Sequence, residues 1–254
     1  MKKESRKFED HFSAHAGQYA ASRPGYPIEL FDYLATLTPD NGVAWDCGTG
    51  NGQAALSLTK HFNQVIATDP SVEQIKNAFS HPKINYRVEP AESTSIEENS
   101  ISLITSGTAA HWFSFDEFYT EVQRVSKSDA IIALWVYHLP EIEPEVDRTL
   151  THYFKHLLDG YWPERIEYLD KQYTTIPFPF PELKHPAFYY RTTWSLLQLL
   201  GFLNSWSGTQ RYLAERGEHP LDLIREPLRH HWGTPEDKRT VTWQLHLRLG
   251  RVQK

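Results

Sequence analysis

The chain is poor in cysteine, in long apolar runs and in clustered positive charge, and each shortage removes a class of protein. Its single cysteine, Cys47, leaves no internal disulfide to form among 254 residues, which fits a reducing compartment. That cysteine sits within a glycine-rich turn, where a small buried residue is a better reading than a catalytic thiol. No run of 18 apolar residues suggests a membrane span. The first residues lack the apolar centre of a signal peptide, so the expected location is cytoplasmic, with no membrane partner. Lys and Arg total 26 against 32 Asp and Glu, a formal net charge of −6. The basic cluster Lys2-Lys3 and Arg6-Lys7 is small and interrupted by Glu4, so nucleic-acid binding through a broad basic surface is not expected. The thirteen histidines are scattered, none at zinc-site spacing with the cysteine, so no metal is expected.

What is present is an alternation of short apolar strands and helices. Strands are expected over 43–47, 64–69, 84–88, 101–106 and 130–137, with helices over 28–37, 53–61, 71–79 and 114–125. Alternation with short loops predicts an α/β fold around a parallel, doubly wound sheet, whose ligands lie at the strand C-terminal ends. After residue 137 the pattern breaks. Helical spacing returns over 144–158, and alternate prolines in Ile176-Pro177-Phe178-Pro179-Phe180-Pro181 enforce extended chain. A strand is expected over 188–194, then helices over 195–203, 208–216 and 220–232. The final strand is plain: Val241, Trp243, Leu245, Leu247 and Leu249 alternate with polar residues.

One stretch carries chemistry. In Val43-Ala44-Trp45-Asp46-Cys47-Gly48-Thr49-Gly50-Asn51-Gly52, a strand ends on an acid and turns through three alternating glycines into a helix. Glycine permits positive φ and lets a ligand approach the backbone closely. The dinucleotide fingerprint G-x-G-x-x-G needs its third glycine one residue later, where Gln53 stands. Asp46 would also repel a pyrophosphate, whereas it would attract an ammonium or sulfonium. One helix later, the strand Gln64–Thr68 closes on Asp69, followed by Pro70 and Ser71. An acid at that point can accept hydrogen bonds from both ribose hydroxyls, in nicotinamide enzymes as in others.

The spacing Asp46-x-Gly48-x-Gly50-x-Gly52 resembles motif I of class I S-adenosylmethionine-dependent methyltransferases. Three further pieces resemble the small-molecule branch that includes trans-aconitate methyltransferases: Tyr19-Ala20-Ala21-Ser22-Arg23-Pro24-Gly25-Tyr26-Pro27, Ala109-Ala110-His111-Trp112-Phe113, and Leu203-Asn204-Ser205-Trp206-Ser207 with the Trp243 strand. The resemblance implies a Rossmann-like, mostly parallel seven-stranded sheet with an antiparallel last strand. It implies a single domain over 1–254, with a core of about 28–137 plus 186–254. Helical lid segments at about 138–185 and 195–235 would bring Trp194, Trp206, Tyr212 and Trp232 over the strand ends or pack them beneath the lid.

The resemblance also distributes roles. Asp46, Gly48, Thr49, Gly50 and Gly52 would line the methionine and ribose part of S-adenosylmethionine. Asp69 would hold the ribose, with Pro70 and Ser71 flanking the adenine. Ala91 and Glu92 would lie against the adenine ring, and Ser106 and Gly107 near the methionine portion. Tyr19 and Arg23 would close over the cofactor. His111 is the candidate general base by position and intrinsic pKa. Arg191 and Arg211 are candidates to neutralise a polycarboxylate substrate. The chain departs from the family pattern at Ser102, where an Asp is usual, and at Lys127-Ser128-Asp129-Ala130, where Lys-Pro-Gly-Gly is usual. The expected function is methyl transfer to a small molecule, with a carboxylate as one candidate class, by a monomer or homodimer. A nicotinamide-dependent oxidoreductase and a non-catalytic S-adenosylmethionine-binding protein are the alternatives.

Overall fold

The computed structural model describes residues 24–254. Tyr19 and Arg23 therefore lie outside the described residues. The strands are β1 Val43–Cys47, β2 Gln64–Thr68, β3 Ile84–Arg87, β4 Ile101–Gly107, β5 Ser126–Tyr137, β6 Phe188–Trp194 and β7 Arg239–Arg251. The helices are α1 Ile28–Leu37, α2 Gln53–Leu58, α3 Val72–Lys76, α4 Phe115–Val125, α5 Pro144–His152, α6 Glu167–Asp170, α7 Leu196–Asn204, α8 Ser207–Arg216 and α9 Asp222–Trp232.

All seven strands join one sheet in the order β3-β2-β1-β4-β5-β7-β6. The neighbours from β3 to β5 pair in parallel, and β7 runs antiparallel to both β5 and β6. The order reverses between β1 and β4, which opens a crevice at the C-terminal ends of those strands. β5 shows why both faces are covered. Ile131, Ala133, Trp135 and Tyr137 enter one apolar cluster with α1 and the helices after residue 143. Ile132, Leu134 and Val136 enter a second cluster with α4. Period-2 side chains buried on both sides are what a central parallel strand requires. Each large apolar side chain so buried contributes about 1.5–3 kcal/mol. β7 feeds only the first cluster, through Val241, Trp243, Leu245, Leu247 and Leu249.

Several boundaries differ from the sequence expectation. β5 begins at Ser126 rather than 130, because pairing with β4 starts at Ile101 opposite Ser126 and then shifts register before Leu103 opposite Ile131. Helices α2 and α3 stop at Leu58 and Lys76, short of 61 and 79. The stretch expected as one helix over 144–158 is α-helical to His152 and then widens into a π-turn over Tyr153–Leu157. The short helix α6 had no sequence signal.

The two departures from the family pattern meet in space. Ser102 Oγ donates to Asp40 Oδ1 at 2.6 Å, and Lys127 Nζ donates to Asp40 Oδ2 at 2.8 Å. The backbone N–H of Gly42 donates to Asp40 Oδ1 as well, at 2.8 Å. Lys127 foremost, then Ser102, holds the Asp40 carboxyl down at about 2. The loop before β1 is thus fastened to the starts of β4 and β5.

Candidate active site

The glycine turn after β1 is built by hydrogen bonds to two acids. Asp46 is 1% exposed. Its Oδ2 accepts from Thr49 Oγ1 at 2.5 Å and its Oδ1 from Thr105 Oγ1 on β4 at 2.8 Å. Burial pushes this carboxyl up to about 6, against the two threonine hydroxyls. Asp69 sits at the end of β2. Its Oδ2 accepts from the Gly50 N–H and its Oδ1 from the Ser71 N–H, both at 2.9 Å. Both oxygens are thereby oriented by backbone donors. Ser71 also caps α3, accepting from the Gln74 N–H at 3.2 Å.

All three glycines have positive φ, +65° at Gly48, +56° at Gly50 and +85° at Gly52. They do different jobs. A Cβ on Gly48 would lie 2.6 Å from Ala109 Cβ, so this glycine lets the turn close against the segment after β4. A Cβ on Gly52 would lie 2.1 Å from Tyr86 Oη. A Cβ on Gly50 would meet nothing nearer than Gln74 Oε1 at 3.8 Å. Among the described residues that side of the turn is open, beside two carboxylates and a buried Asn51 Nδ2 without a hydrogen-bond partner. The donor and acceptor set suits a ligand with ribose hydroxyls and a positive charge. It does not suit a pyrophosphate.

The other expected residues fall around this turn. Ala91 is buried, and Glu92 Oε1 accepts from the Ser114 N–H at 2.8 Å, tying the loop after β3 to α4. Ser106 is fully buried near the end of β4, its Oγ unpaired among the described residues. Gly107 is packed so closely that a Cβ would meet Tyr26 Oη at 2.7 Å and Trp135 at 2.9 Å. Cys47 is fully buried, and burial raises its thiol well above the ordinary range. That is the inert form.

His111 lies in a 3₁₀ turn, Ala110–Trp112, just past β4. Arg165 clamps this turn by donating to the His111 carbonyl at 3.0 Å and to the Phe113 carbonyl at 2.5 Å. The His111 ring is 4% exposed, with Nδ1 2.8 Å from Tyr173 Oη. Burial keeps the Tyr173 phenol protonated. With the phenol donating to Nδ1, the neutral imidazole carries its own proton on Nε2.

Beside this turn lies a cavity that is partly open to solvent among the described residues. Thr108, His111 and Trp112 line it from the end of β4, and Tyr137 and His138 from the end of β5. Phe154, Trp162, Phe202 and Trp206 close it from the later helices and loops. The π-turn carries Phe154, whose ring packs 4.6 Å from Trp162 and 5.9 Å from Trp206. Trp206 is thus the single member of the expected lid aromatics that reaches the cavity. Trp194 and Trp232 are buried in the core, the former 4.8 Å from Trp243. Tyr212 packs on Tyr161. Among the described residues, no Lys or Arg lines the cavity. Arg191 is exposed and lies over Tyr189, and Arg211 is half-buried away from the lining. His138, Phe154 and Trp162 were not foreseen. His138 had a signal, being the first polar residue after the apolar run of the fifth strand, where ligands are expected. Phe154 and Trp162 had none.

Comparison with known proteins agrees with this geometry. A family model described as a methyltransferase domain matches residues 45–134. A Dictyostelium discoideum protein named as a methyltransferase is 31% identical over 226 residues, covering 87% of this chain and 86% of its own length. A Saccharomyces cerevisiae protein named as an S-adenosylmethionine-dependent methyltransferase is 28% identical over 153 residues, 57% of this chain and 51% of its own. The solved structure of a protein named as a type II methyltransferase from Anaeromyxobacter dehalogenans superposes with a TM-score of 0.85 at 40% identity, covering 91% of this chain and 98% of that one. These matches set aside the nicotinamide alternative. Among the described residues, no helix is long and apolar enough to cross a membrane.

Proposed function

Since the chain belongs to the class I S-adenosylmethionine-dependent methyltransferases, we propose that its acceptor is a small molecule held in the aromatic cavity and methylated by direct in-line transfer. The observation that carries this reading is the adjacency of two sites. The Asp46–Gly52 turn and Asp69 lie at the ends of β1 and β2, and Gly48 packs against Ala109 at the start of the segment that bears His111 and Trp112 into the cavity.

The bound cofactor supplies an activated methyl group on a positively charged sulfur. Asp69 holds the ribose hydroxyls, its carboxylate preset by Gly50 and Ser71. The open side of Gly50 admits the cofactor against the backbone, and Asp46 supplies the compensating negative charge. Pro70 and Ser71 flank the adenine with Ala91 and Glu92. Ser106 and Gly107 border the methionine portion. The segments 138–185 and 195–235 act as the lid of a single domain, and the cavity's aromatic walls from both segments support this. Rate then comes largely from holding the acceptor in line in a water-poor site. Among the described residues no Lys or Arg lines the cavity to support a polycarboxylate acceptor.

Calorimetric titration with S-adenosylhomocysteine, S-adenosylmethionine and NAD(H), on wild type and Asp69→Ala, tests the cofactor assignment. Selective binding of the adenosyl sulfur ligands, weakened at least tenfold in the variant, is expected. Absent binding to wild type refutes it.

A further inference from the structure

We propose that the cavity accepts an uncharged planar hydroxyl compound and that His138, rather than His111, takes the proton from its hydroxyl. This inference rests on the methyltransferase reading.

The substrate class follows from the lining. Aromatic rings from the β4 and β5 ends, the π-turn, the Trp162 loop, α7 and the start of α8 converge on the space, and among the described residues no Asp, Glu, Lys or Arg joins them. Burying a charged acceptor against such walls is strongly unfavourable without a partner. A planar ring, in contrast, gains offset and edge-on contacts with Trp112, Phe154, Trp162 and Trp206.

The assignment of the proton follows from the two histidines. With the buried Tyr173 phenol as the donor across its 2.8 Å contact to His111 Nδ1, the neutral His111 ring keeps its proton on Nε2 and has no acceptor nitrogen left. It can donate a hydrogen bond but not receive the proton. His138 follows β5 with its side chain 15% exposed and its ring edge-on to Phe154 at 4.9 Å. Its Nε2 makes no hydrogen bond among the described residues, and Asp170 Oδ1 stands 3.6 Å from it. A carboxylate on that side favours the proton on Nε2, which leaves the lone pair on Nδ1. Four influences act on the charge of this ring: burial pushes it down to about 4, Asp170 opposes that, and Lys155 and His246 reinforce it. The imidazole is consequently neutral and able to accept at physiological pH.

The step balances simply. The acceptor oxygen uses a lone pair to bond the incoming methyl, and the electron pair of the broken carbon–sulfur bond stays on sulfur. The O–H bond breaks with its pair left on oxygen, and the proton goes to His138 Nδ1. As the new bond forms, the oxygen becomes oxonium-like and more acidic than imidazolium, so even a weak base suffices. Asp170 then faces a cationic ring.

The test uses the full chain saturated with S-adenosylhomocysteine and the probes 2-naphthol, 7-hydroxycoumarin, 2-naphthoate, 2-naphthylmethylammonium and trans-aconitate. Calorimetry is expected to show the two hydroxyl probes binding at least tenfold more tightly than the charged ones. With S-adenosylmethionine, mass spectrometry is expected to detect the methyl ethers. His138→Asn should lower kcat about 100-fold or more with little change in KM, and Asp170→Asn should lower kcat less and alter the acid limb of its pH profile. His111→Asn should act mainly on KM. Tighter binding of a charged probe, unchanged kcat in His138→Asn, or a loss confined to His111→Asn overturns the proposal. Nitrogen-15 NMR of wild-type histidines gives a check independent of the variants: His138 should be neutral at pH 6 with its proton on Nε2, and any other form refutes the assignment. Cofactor-product binding without hydroxyl-probe binding defeats this inference alone. Failure to bind S-adenosylhomocysteine defeats the methyltransferase reading.

Discussion

Replacing Asp46 by Asn should strengthen the empty protein and disable the cofactor site, and the pH dependence separates the two effects. Burial raises the Asp46 carboxyl from 3.8 to about 6. A shift of about two units corresponds to about 3 kcal/mol at about 1.4 kcal/mol per unit. The sign follows from proton binding. Between these two values the folded chain holds a proton that the unfolded chain has released, so stability falls as pH rises. The cost is absent below the unfolded value and complete above the folded one. Asn carries no charge, but it can accept from only one of Thr49 and Thr105. The other hydroxyl must turn to accept from the amide, at a cost of about 1 kcal/mol. The variant should therefore be about 2 kcal/mol more stable than wild type at pH 7.5 and slightly less stable at pH 4. Urea unfolding at both pH values measures the difference. Saturating S-adenosylhomocysteine should reverse the order at pH 7.5, because wild type gains binding free energy that the variant lacks. A wild-type-to-variant difference that stays constant between pH 4 and 7.5 would refute the reasoning, since Asp46 would then not be a desolvated carboxylate.

Gly50→Ala and Gly52→Ala should both weaken S-adenosylhomocysteine binding but differ in stability. The first meets only the left-handed backbone penalty of about 1–2 kcal/mol. The second adds the Tyr86 Oη contact, so its Tm should fall further, and Tyr86→Phe should restore part of the difference. Tyr173→Phe leaves the buried Nδ1 of His111 without its hydrogen-bond partner. A loss of about 1–3 kcal/mol is expected by denaturant unfolding, and an unchanged midpoint would show that the tyrosine does not fix the histidine.

The cofactor turn was readable because its requirements are local. Positive φ at alternate residues, an acid at each strand end and a following helix all leave marks in consecutive residues. The sheet was readable for a related reason: β1 and β6 coincide with the expected spans because apolar runs bounded by turn residues specify them. The cavity was not readable, because it is assembled from residues far apart in the chain. Phe154 and Trp162 look like any core aromatics until the π-turn and α8 bring them together. Trp194 and Trp232 carry the same signal as Trp206 and are buried in the core instead. The start of β5 was misjudged since Lys127, Ser128 and Asp129 have poor strand propensity, and pairing with β4 overrides it.

The fastening at Asp40 bears on how such chains diverge. Ser102 approaches Asp40 to within 2.6 Å. An aspartate at position 102 would put two carboxylates in contact, with only Lys127 between them. Two acids at positions 40 and 102 would repel each other, so a lineage moving the acid from one site to the other either passes through a sequence with neither or bears that repulsion on the way. Lys127 serves either arrangement, so it can outlast the exchange. Substitution histories at 40, 102 and 127 should be correlated.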